Sequence, residues 1–303
     1  MNGFSGWPAN KLPRLLLWDR TTTGVTATAL CLALLSSVRG AAAGYEAASA
    51  ANATSSFPWP PGKRGAVSLT FDDARPSQVE VGLPIFERHR ARATFYVTPD
   101  RLDAQLGRWR LAVSQGHEIG NHSLSHPCTG NFAFSRDNAL EDYTLARLEE
   151  DLRLASHAIR ARLEVEPVSF AYPCGQTFIG RGVGTRSYVP LIAERFESGR
   201  LWLGEDANDP FRCDPAQLLA MELDGKSFAE VRPLLDSALK QGKWLILAGH
   251  EIGGLARQTT LTNTLEAVCA FAADPANSLW LDTVGNIARH VRERQPSRAV
   301  PPP

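Results

Sequence analysis

The chain has 303 residues, of which 44% are hydrophobic and 21% are charged, so it is long enough for one large domain or two ordinary ones with a sizeable core. Lysine plus arginine and aspartate plus glutamate both number 32, which gives a formal net charge of zero. This balance argues against a nucleic-acid partner, because nucleic-acid phosphates favour a basic protein surface.

The first 43 residues have the pattern of an export signal. Basic residues up to Arg20 precede an uncharged run, Thr21–Val38, and the small residues AAAG follow. A basic start, a short apolar centre and a small-residue exit predict cleavage near Ala43. The alternative is an uncleaved single-helix anchor, for which the apolar centre is short. We therefore expect a secreted or periplasmic protein with no membrane span after cleavage.

Two segments flanking the main part of the chain have the composition of unstructured peptide. Residues 44–65 (GYEAASAANATSSFPWPPGKRG) are rich in small residues and proline, which predicts a linker. Residues 296–303 end in VPPP and predict a disordered tail. One folded domain is expected over residues 66–295.

Four cysteines remain after the predicted signal is removed: Cys128, Cys174, Cys213 and Cys269. An even set can pair in an oxidising compartment, with three possible connectivities. None of the four has C-x-x-C spacing, which argues against a cysteine zinc site.

Strand-like and helix-like segments alternate along the predicted domain. The strand-like segments are AVSLTF (66–71), ATFYV (93–97), HEIGNH (117–122), VSFAYP (168–173), LWL (201–203), LLAMEL (218–223), KWLILAGH (243–250) and SLWLDTV (278–284). The helix-like segments lie around 84–86 and over 102–115, 139–163, 227–241 and 260–273, and a last helix capped by Thr283 runs to about 294. Seven or so such units predict a closed or nearly closed barrel of parallel strands. Catalytic residues of such barrels lie at the carboxyl ends of the strands.

The first predicted strand ends in LTFDD, which places Asp72 and Asp73 at a carboxyl end. Two carboxylates buried side by side repel each other unless a cation neutralises one of them. The alternative for an isolated Asp-Asp pair is a solvated turn.

The third predicted strand ends in GNHSLSH, with His122 and His126 four residues apart. Helical spacing would place them on one face, but Pro127 disfavours a helical His126, and Gly120 and Ser123 favour a turn. We therefore expect a loop that brings both imidazoles to one ion. A carboxylate with two imidazoles leaves an open coordination position, as in catalytic zinc sites. Chance spacing is the alternative for the histidines alone, and the preceding Asp-Asp pair favours the metal site.

The late strand WLILAGH ends in His250. By the strand-end rule its imidazole lies at the same face as the aspartates and the histidine pair. The alternative is a loop histidine with no role beyond local hydrogen bonding.

Four motifs in this order, TFDD, HSLSHP, YPCG and LILAGHE, resemble the polysaccharide deacetylase, or NodB-homology, family of carbohydrate esterases. The resemblance covers residues 67–250 and by strand order extends towards Val291. It implies an α/β fold, namely a distorted (β/α) barrel with about seven parallel strands. It also implies a metal-dependent hydrolase that removes acetyl groups from an N-acetylated, chitin- or peptidoglycan-like glycan and releases acetate. The alternatives are an O-deacetylase of a decorated polysaccharide, a hydrolase of a small cyclic amide, and a catalytically inactive carbohydrate-binding domain.

The resemblance also assigns roles to residues. Asp73, His122 and His126 match the ligands of one divalent metal ion, with zinc expected first and cobalt, nickel or iron as alternatives. Asp72 matches the general base, and His250 matches the general acid.

The chain departs from the family pattern in two places. The family's third motif commonly holds an arginine that orients the base; Ala171 stands there, and Arg181 or Arg186 is expected to substitute. The family's fourth motif supplies an aspartate that holds the acid histidine. GEDANDP offers Asp206 and Asp209 without the usual neighbouring tryptophan, and we choose Asp206.

The YPCG motif is expected to contact the substrate. By its position there, the backbone N–H of Cys174 is the candidate donor to the oxyanion, with Tyr172 beside it. Cys128 follows the second predicted ligand histidine by two residues, so the ends of both strands are expected to meet. We predict a Cys128–Cys174 disulfide.

Overall fold

The computed structural model describes residues 56–296; the predicted export signal, most of the predicted linker and nearly all of the predicted tail lie outside the described residues. The last part of the predicted linker is packed on the fold. Phe57 and Trp59 are buried, and the Trp59 ring stacks on His290 with centroids 5.8 Å apart. The folded domain therefore begins before residue 66, because burying these two rings removes apolar surface from water.

Strands and helices alternate along the chain, as predicted. The strands are β1 Gly65–Asp72, β2 Thr94–Val97, β3 Glu118–Asn121, β4 Ser169–Ala171, β5 Phe178–Ile179, β6 Arg186–Ser187, β7 Ser198–Arg200, β8 Met221–Glu222, β9 Trp244–Gly249, β10 Glu251–Gly253, β11 Thr259–Leu261 and β12 Leu279–Leu281. The α-helices are α1 Leu83–His89, α2 Leu106–Ser114, α3 Leu145–Leu163, α4 Val189–Arg195, α5 Phe228–Gln241, α6 Thr262–Ala273 and α7 Val284–Arg294. Helix α4 was not predicted. Thr283 caps α7 as expected, because its Oγ1 accepts the Asn286 N–H.

Eight parallel strands form one curled sheet. Its order is β7-β4-β3-β2-β1-β9-β8, and β12 pairs with the first residues of β1. The two edges meet where Leu218 donates its N–H to the Gly199 carbonyl and accepts the Leu201 N–H, both at 2.8 Å. These contacts close the sheet into a distorted barrel, which confirms the predicted fold class.

The central strand β1 is buried along its whole length, as expected for a parallel strand covered on both faces. Around it, the rings of Phe71, Phe95 and Trp109 pack in sequence, with centroids 5.9 and 5.4 Å apart. Because the strands run parallel, their carboxyl ends lie at one rim of the barrel. The packed core below holds the strands, and therefore the residues at this rim, in position. Among the helices of residues 56–296, none is both long and apolar enough to cross a bilayer.

The predicted strand at 201–203 is wrong by three residues. Strand β7 is Ser198–Arg200 and pairs in register with β4, so that Arg200 lies opposite Ala171. The following Trp202 and Leu203 lie outside the strand and line a cleft. Arg200 therefore stands at a strand end.

Candidate active site

The three predicted metal ligands, Asp73, His122 and His126, converge beyond the ends of β1 and β3. Asp73 Oδ1 lies 3.6 Å from His122 Nε2 and 3.4 Å from His126 Nε2. Two ligands about 2.1 Å from a tetrahedral ion are themselves roughly 3.4 Å apart. The spacing and the N/O donor set therefore fit one divalent ion.

Hydrogen bonds orient the His122 imidazole and shape the loop that carries His126. His122 Nδ1 lies 2.9 Å from the Ala171 carbonyl oxygen, so Nε2 faces Asp73, an arrangement typical of ligating histidines. Ser123 Oγ accepts the His126 N–H at 2.9 Å, and Asn121 Oδ1 accepts the Ser123 N–H at 2.6 Å. Ser123 and His126 have φ values of 66° and 48°, so the motif is a loop and not a helical turn, as expected.

The Asp73 carboxylate lies in a positive environment. Arg75 donates to Asp73 Oδ2 from Nη2 at 2.8 Å and from Nε at 3.2 Å, which leaves Oδ1 facing the histidines. Burial alone would raise the pKa of Asp73, but His122, His126 and Arg75 together lower it well below its usual range. Burial, followed by repulsion from His122, lowers the pKa of His126 to about 4. Both groups thus carry the protonation state that a metal ligand requires at neutral pH.

Asp72, the predicted base, forms a buried ion pair with Arg200. Arg200 Nη2 donates to Asp72 Oδ1, and the Arg200 side chain is 0% exposed. Its guanidinium lies over the Tyr96 ring, 5.0 Å from the centroid. The pair holds Asp72 at the end of β1 with one oxygen engaged.

The two arginines predicted to substitute for the family's third-motif arginine lie elsewhere, which corrects that prediction. Arg181 pairs at the surface with Asp142, and Arg186 donates to backbone carbonyls of its own turn. Arg200 occupies the expected place because β7 lies beside β4 in the barrel. The sequence signal was an arginine at a strand end, and the three-residue error in the strand hid it.

His250, the predicted acid, is held by Asp224 and not by Asp206. Asp224 Oδ2 lies 2.7 Å from His250 Nδ1, while its Oδ1 accepts the His250 N–H and the Thr260 hydroxyl. Burial alone would lower the pKa of His250, but the hydrogen bond with Asp224 and the nearby carboxylates raise it. Asp206 is 61% exposed and pairs with Lys243, so the prediction of Asp206 is wrong. Asp224 directly follows the predicted strand LLAMEL, a position at which the strand-end rule could have found it.

The YPCG motif is joined to the loop that follows β3 and carries His122 and His126. The predicted Cys128–Cys174 disulfide is confirmed. The Tyr172 hydroxyl donates to the Ala216 carbonyl, and the Tyr172 N–H donates to the Arg200 carbonyl. Tyr172 thus has both donors engaged within the fold. Cys174 has a φ of 54° and lines the cleft, so its N–H is the better candidate of the two for the oxyanion donor.

These groups line a cleft of about 820 Å³ at the carboxyl rim. Phe132 and Phe134 form what we term the aromatic wall: their rings stack 5.5 Å apart at 16°, and they are 44% and 70% exposed. The Trp202 ring meets His250 edge-on at 4.9 Å. Exposed rings beside polar catalytic groups suit a ligand with both apolar faces and hydroxyl groups.

The closed parallel barrel thus brings an Asp-His-His cluster that could hold a metal ion and two buried charge pairs to its carboxyl rim. The family model described as polysaccharide deacetylase matches residues 60–179. Over these residues the chain is similar to the polysaccharide deacetylase family, in agreement with the resemblance drawn from its motifs.

Relatives with deacetylase names match parts of the chain, and a solved structure shares its fold. The peptidoglycan-N-acetylglucosamine deacetylase PgdA of Listeria monocytogenes is 37% identical over 62 residues, which are 20% of this chain and 13% of the relative. The chitooligosaccharide deacetylase of a Bradyrhizobium species is 32% identical over 96 residues, which are 31% of this chain and 39% of the relative. The matches thus span well under half of either relative. A Mycobacterium smegmatis structure of the polysaccharide deacetylase class has the same fold, with a TM-score of 0.57, 19% identity, and coverage of 82% of this chain and 98% of that chain.

Proposed function

We propose that the protein is a metal-dependent hydrolase that removes acetyl groups from an N-acetylated polysaccharide or oligosaccharide and releases acetate. The observation that carries the proposal is the presence of two charge pairs beside the Asp73–His122–His126 cluster. Arg200 pairs with Asp72, and Asp224 pairs with His250, so that Asp72 and His250 line the same cleft as the cluster. The substrates in the names of the two relatives, peptidoglycan N-acetylglucosamine and chitooligosaccharide, support an N-acetylated glycan.

The residues divide the work of amide hydrolysis. A divalent ion held by Asp73, His122 and His126 would polarise the acetyl carbonyl and acidify water, and this donor set suits zinc first and cobalt, nickel or iron next. Asp72, held by Arg200, accepts a proton from the attacking water. His250 donates a proton to the departing nitrogen.

The remaining contacts support these two proton transfers. Because Asp224 engages His250 Nδ1, the other ring nitrogen, Nε2, is the one available to the leaving group. The Cys174 N–H donates to the developing oxyanion.

Three observations favour this function over its alternatives. A binding domain needs neither the Asp72–Arg200 pair nor the Asp224–His250 pair. A raised pKa at His250 suits an amine, which needs protonation to leave, more than an alcohol. The aromatic wall beside the cleft favours a sugar chain over a small cyclic amide.

We also propose that the protein works outside the cytoplasm. The Cys128–Cys174 disulfide supports this, because structural disulfides persist in oxidising compartments. The export signal predicted from the sequence would direct the protein across the membrane.

Acetate release from chitin oligomers, peptidoglycan and acetylated xylan tests the function directly. We expect release from the N-acetylated substrates, loss of activity on chelation, and recovery when zinc is restored. His122→Ala and His126→Ala should each lower metal content and activity together. Release from acetylated xylan alone would contradict amide hydrolysis, and full metal content in both variants would contradict the ligand assignment.

A further inference from the structure

One wall of the cleft carries three guanidinium groups, from Arg75, Arg101 and Arg257. Arg75 connects the wall: its Nη2 donates to Asp73 Oδ2 at 2.8 Å and to Gln258 Oε1 at 3.3 Å, and Gln258 adjoins Arg257. Arg101 approaches the same carboxylate, with Nη1 4.0 Å from Asp73 Oδ2. Arg75 and Arg101 therefore lie beside Asp73, Arg257 lines the same cleft, and we term the three residues the arginine wall.

The nearby carboxylates engage Arg75 and approach Arg101 only to 4.0 Å. Asp73 is engaged by Arg75 and by the histidines, and Glu251 is shared between Arg75 and the Ser77 hydroxyl. Within residues 56–296, no carboxylate lies within 4.0 Å of Arg257. Among the described residues, the acidic ones that line the cleft are Asp72 and Asp73, both buried and paired.

The two outer arginines are accessible to a ligand. The Arg101 side chain is 49% exposed, and Arg257 is exposed on the loop before β11. The cleft is thus positive, although the whole chain has a formal net charge of zero. A concave site lined by one sign of charge focuses the field on a ligand of opposite charge.

We infer that the substrate carries a carboxylate on or next to the acetylated sugar, and that Arg101 and Arg257 bind it. The planar guanidinium fork matches a carboxylate with two parallel hydrogen bonds. Arg75 is already held by Asp73 and Glu251, so the outer two arginines supply the binding. This inference rests on the proposed function and narrows its substrate to an acidic N-acetylated glycan.

A matched pair of substrates tests the inference: an N-acetylated oligosaccharide bearing sugar carboxylates, and the same oligosaccharide with those groups converted to methyl esters. The kcat/KM for acetate release should be about tenfold or more higher for the acid, the effect of one charge-assisted hydrogen bond. High salt should reduce this ratio. The double variant Arg101→Gln/Arg257→Gln should bring the ratio towards one.

Arg181→Gln is the charge-matched control, because Arg181 is an exposed arginine paired with Asp142 outside the cleft. It should keep the wild-type ratio. Equal kcat/KM for the acid and the ester, or a ratio that survives the double variant, would overturn the inference.

Calorimetric binding of both oligosaccharides to His250→Ala separates this inference from the proposed function. Tighter binding of the oligosaccharide with free carboxylates supports the inference even where turnover is absent. Equal binding of the carboxylate and methyl ester forms overturns the inference. Absence of acetate release from either substrate by the wild-type protein would instead overturn the proposed function.

Discussion

At the scale of single residues, the site depends on two buried charge pairs that are far apart in sequence. The Arg200 side chain is 0% exposed and that of Asp72 is 6% exposed, so neither charge can be left alone without a large desolvation penalty. Asp224 plays the corresponding part for His250. Arg200 thus compensates the buried charge of Asp72, and Asp224 raises the pKa of His250.

Arg200→Met should lower the free energy of unfolding of the metal-free protein by about 3–5 kcal/mol, because it leaves Asp72 as an uncompensated buried charge. The double variant Asp72→Asn/Arg200→Met should recover much of that loss without recovering activity. Urea unfolding measures both. A single variant as stable as the wild type would show that Asp72 does not depend on Arg200.

Asp224→Asn should shift the alkaline limb of the kcat/KM profile to lower pH. Asp224 raises the pKa of His250, so its removal lowers that pKa, and protonated His250 is lost at a lower pH. Asp206→Asn is the matched control, because Asp206 pairs with Lys243 at the surface. A shift in the Asp206 variant and none in the Asp224 variant would show that Asp206, and not Asp224, raises the pKa of His250.

At the scale of elements, the loops that follow the strands carry the residues of the proposed active site. The segment after β3 holds His122 and His126, is joined to the YPCG motif by the Cys128–Cys174 disulfide, and then displays the aromatic wall. Ser135 Oγ accepts the Cys128 N–H and donates to the Cys128 carbonyl, both at 2.9 Å. The loop is therefore held in place just after the proposed metal ligand His126.

Removing the disulfide should weaken metal binding. The double variant Cys128→Ser/Cys174→Ser frees the loop that positions His126, and losing such support typically costs about 10–100-fold in metal affinity. Competition with a chelating dye measures the dissociation constant. Cys213→Ser, at a free cysteine, should leave it unchanged. Equal affinities in all three proteins would confine the disulfide to general stability.

Truncating the aromatic wall should reduce the preference for long substrates. Phe132→Ala and Phe134→Ala should each lower the ratio of kcat/KM for long over short oligosaccharides by roughly 2–10-fold, the effect of 0.5–1.5 kcal/mol per ring contact. Phe178→Ala is the control, since that ring is 58% exposed but outside the cleft. A larger loss in the control would exclude the aromatic wall as a sugar-binding surface.

At the scale of the whole described domain, barrel closure brings the site together. The hydrogen bonds of Leu218 to Gly199 and Leu201 join the two sheet edges, so the ends of β7 and β8 come close to that of β1. Arg200 thereby reaches Asp72, whereas Asp224 reaches His250 because β8 pairs directly with β9. An open sheet would leave Arg200 far from Asp72, because β7 and β1 are separated by three strands on the direct path.

The sequence by itself determined the alternation of strands and helices, the parallel barrel and the grouping of Asp73, His122 and His126, because these follow from local periodicity and from the strand-end rule. The motif order also indicated the Cys128–Cys174 disulfide. Only the tertiary structure decided which arginine supports Asp72 and which aspartate supports His250. The partner of Asp72 depends on closure of the barrel, and the partner of His250 depends on the pairing of β8 with β9. Local sequence patterns carry no information about partners 128 residues apart, as Arg200 and Asp72 are.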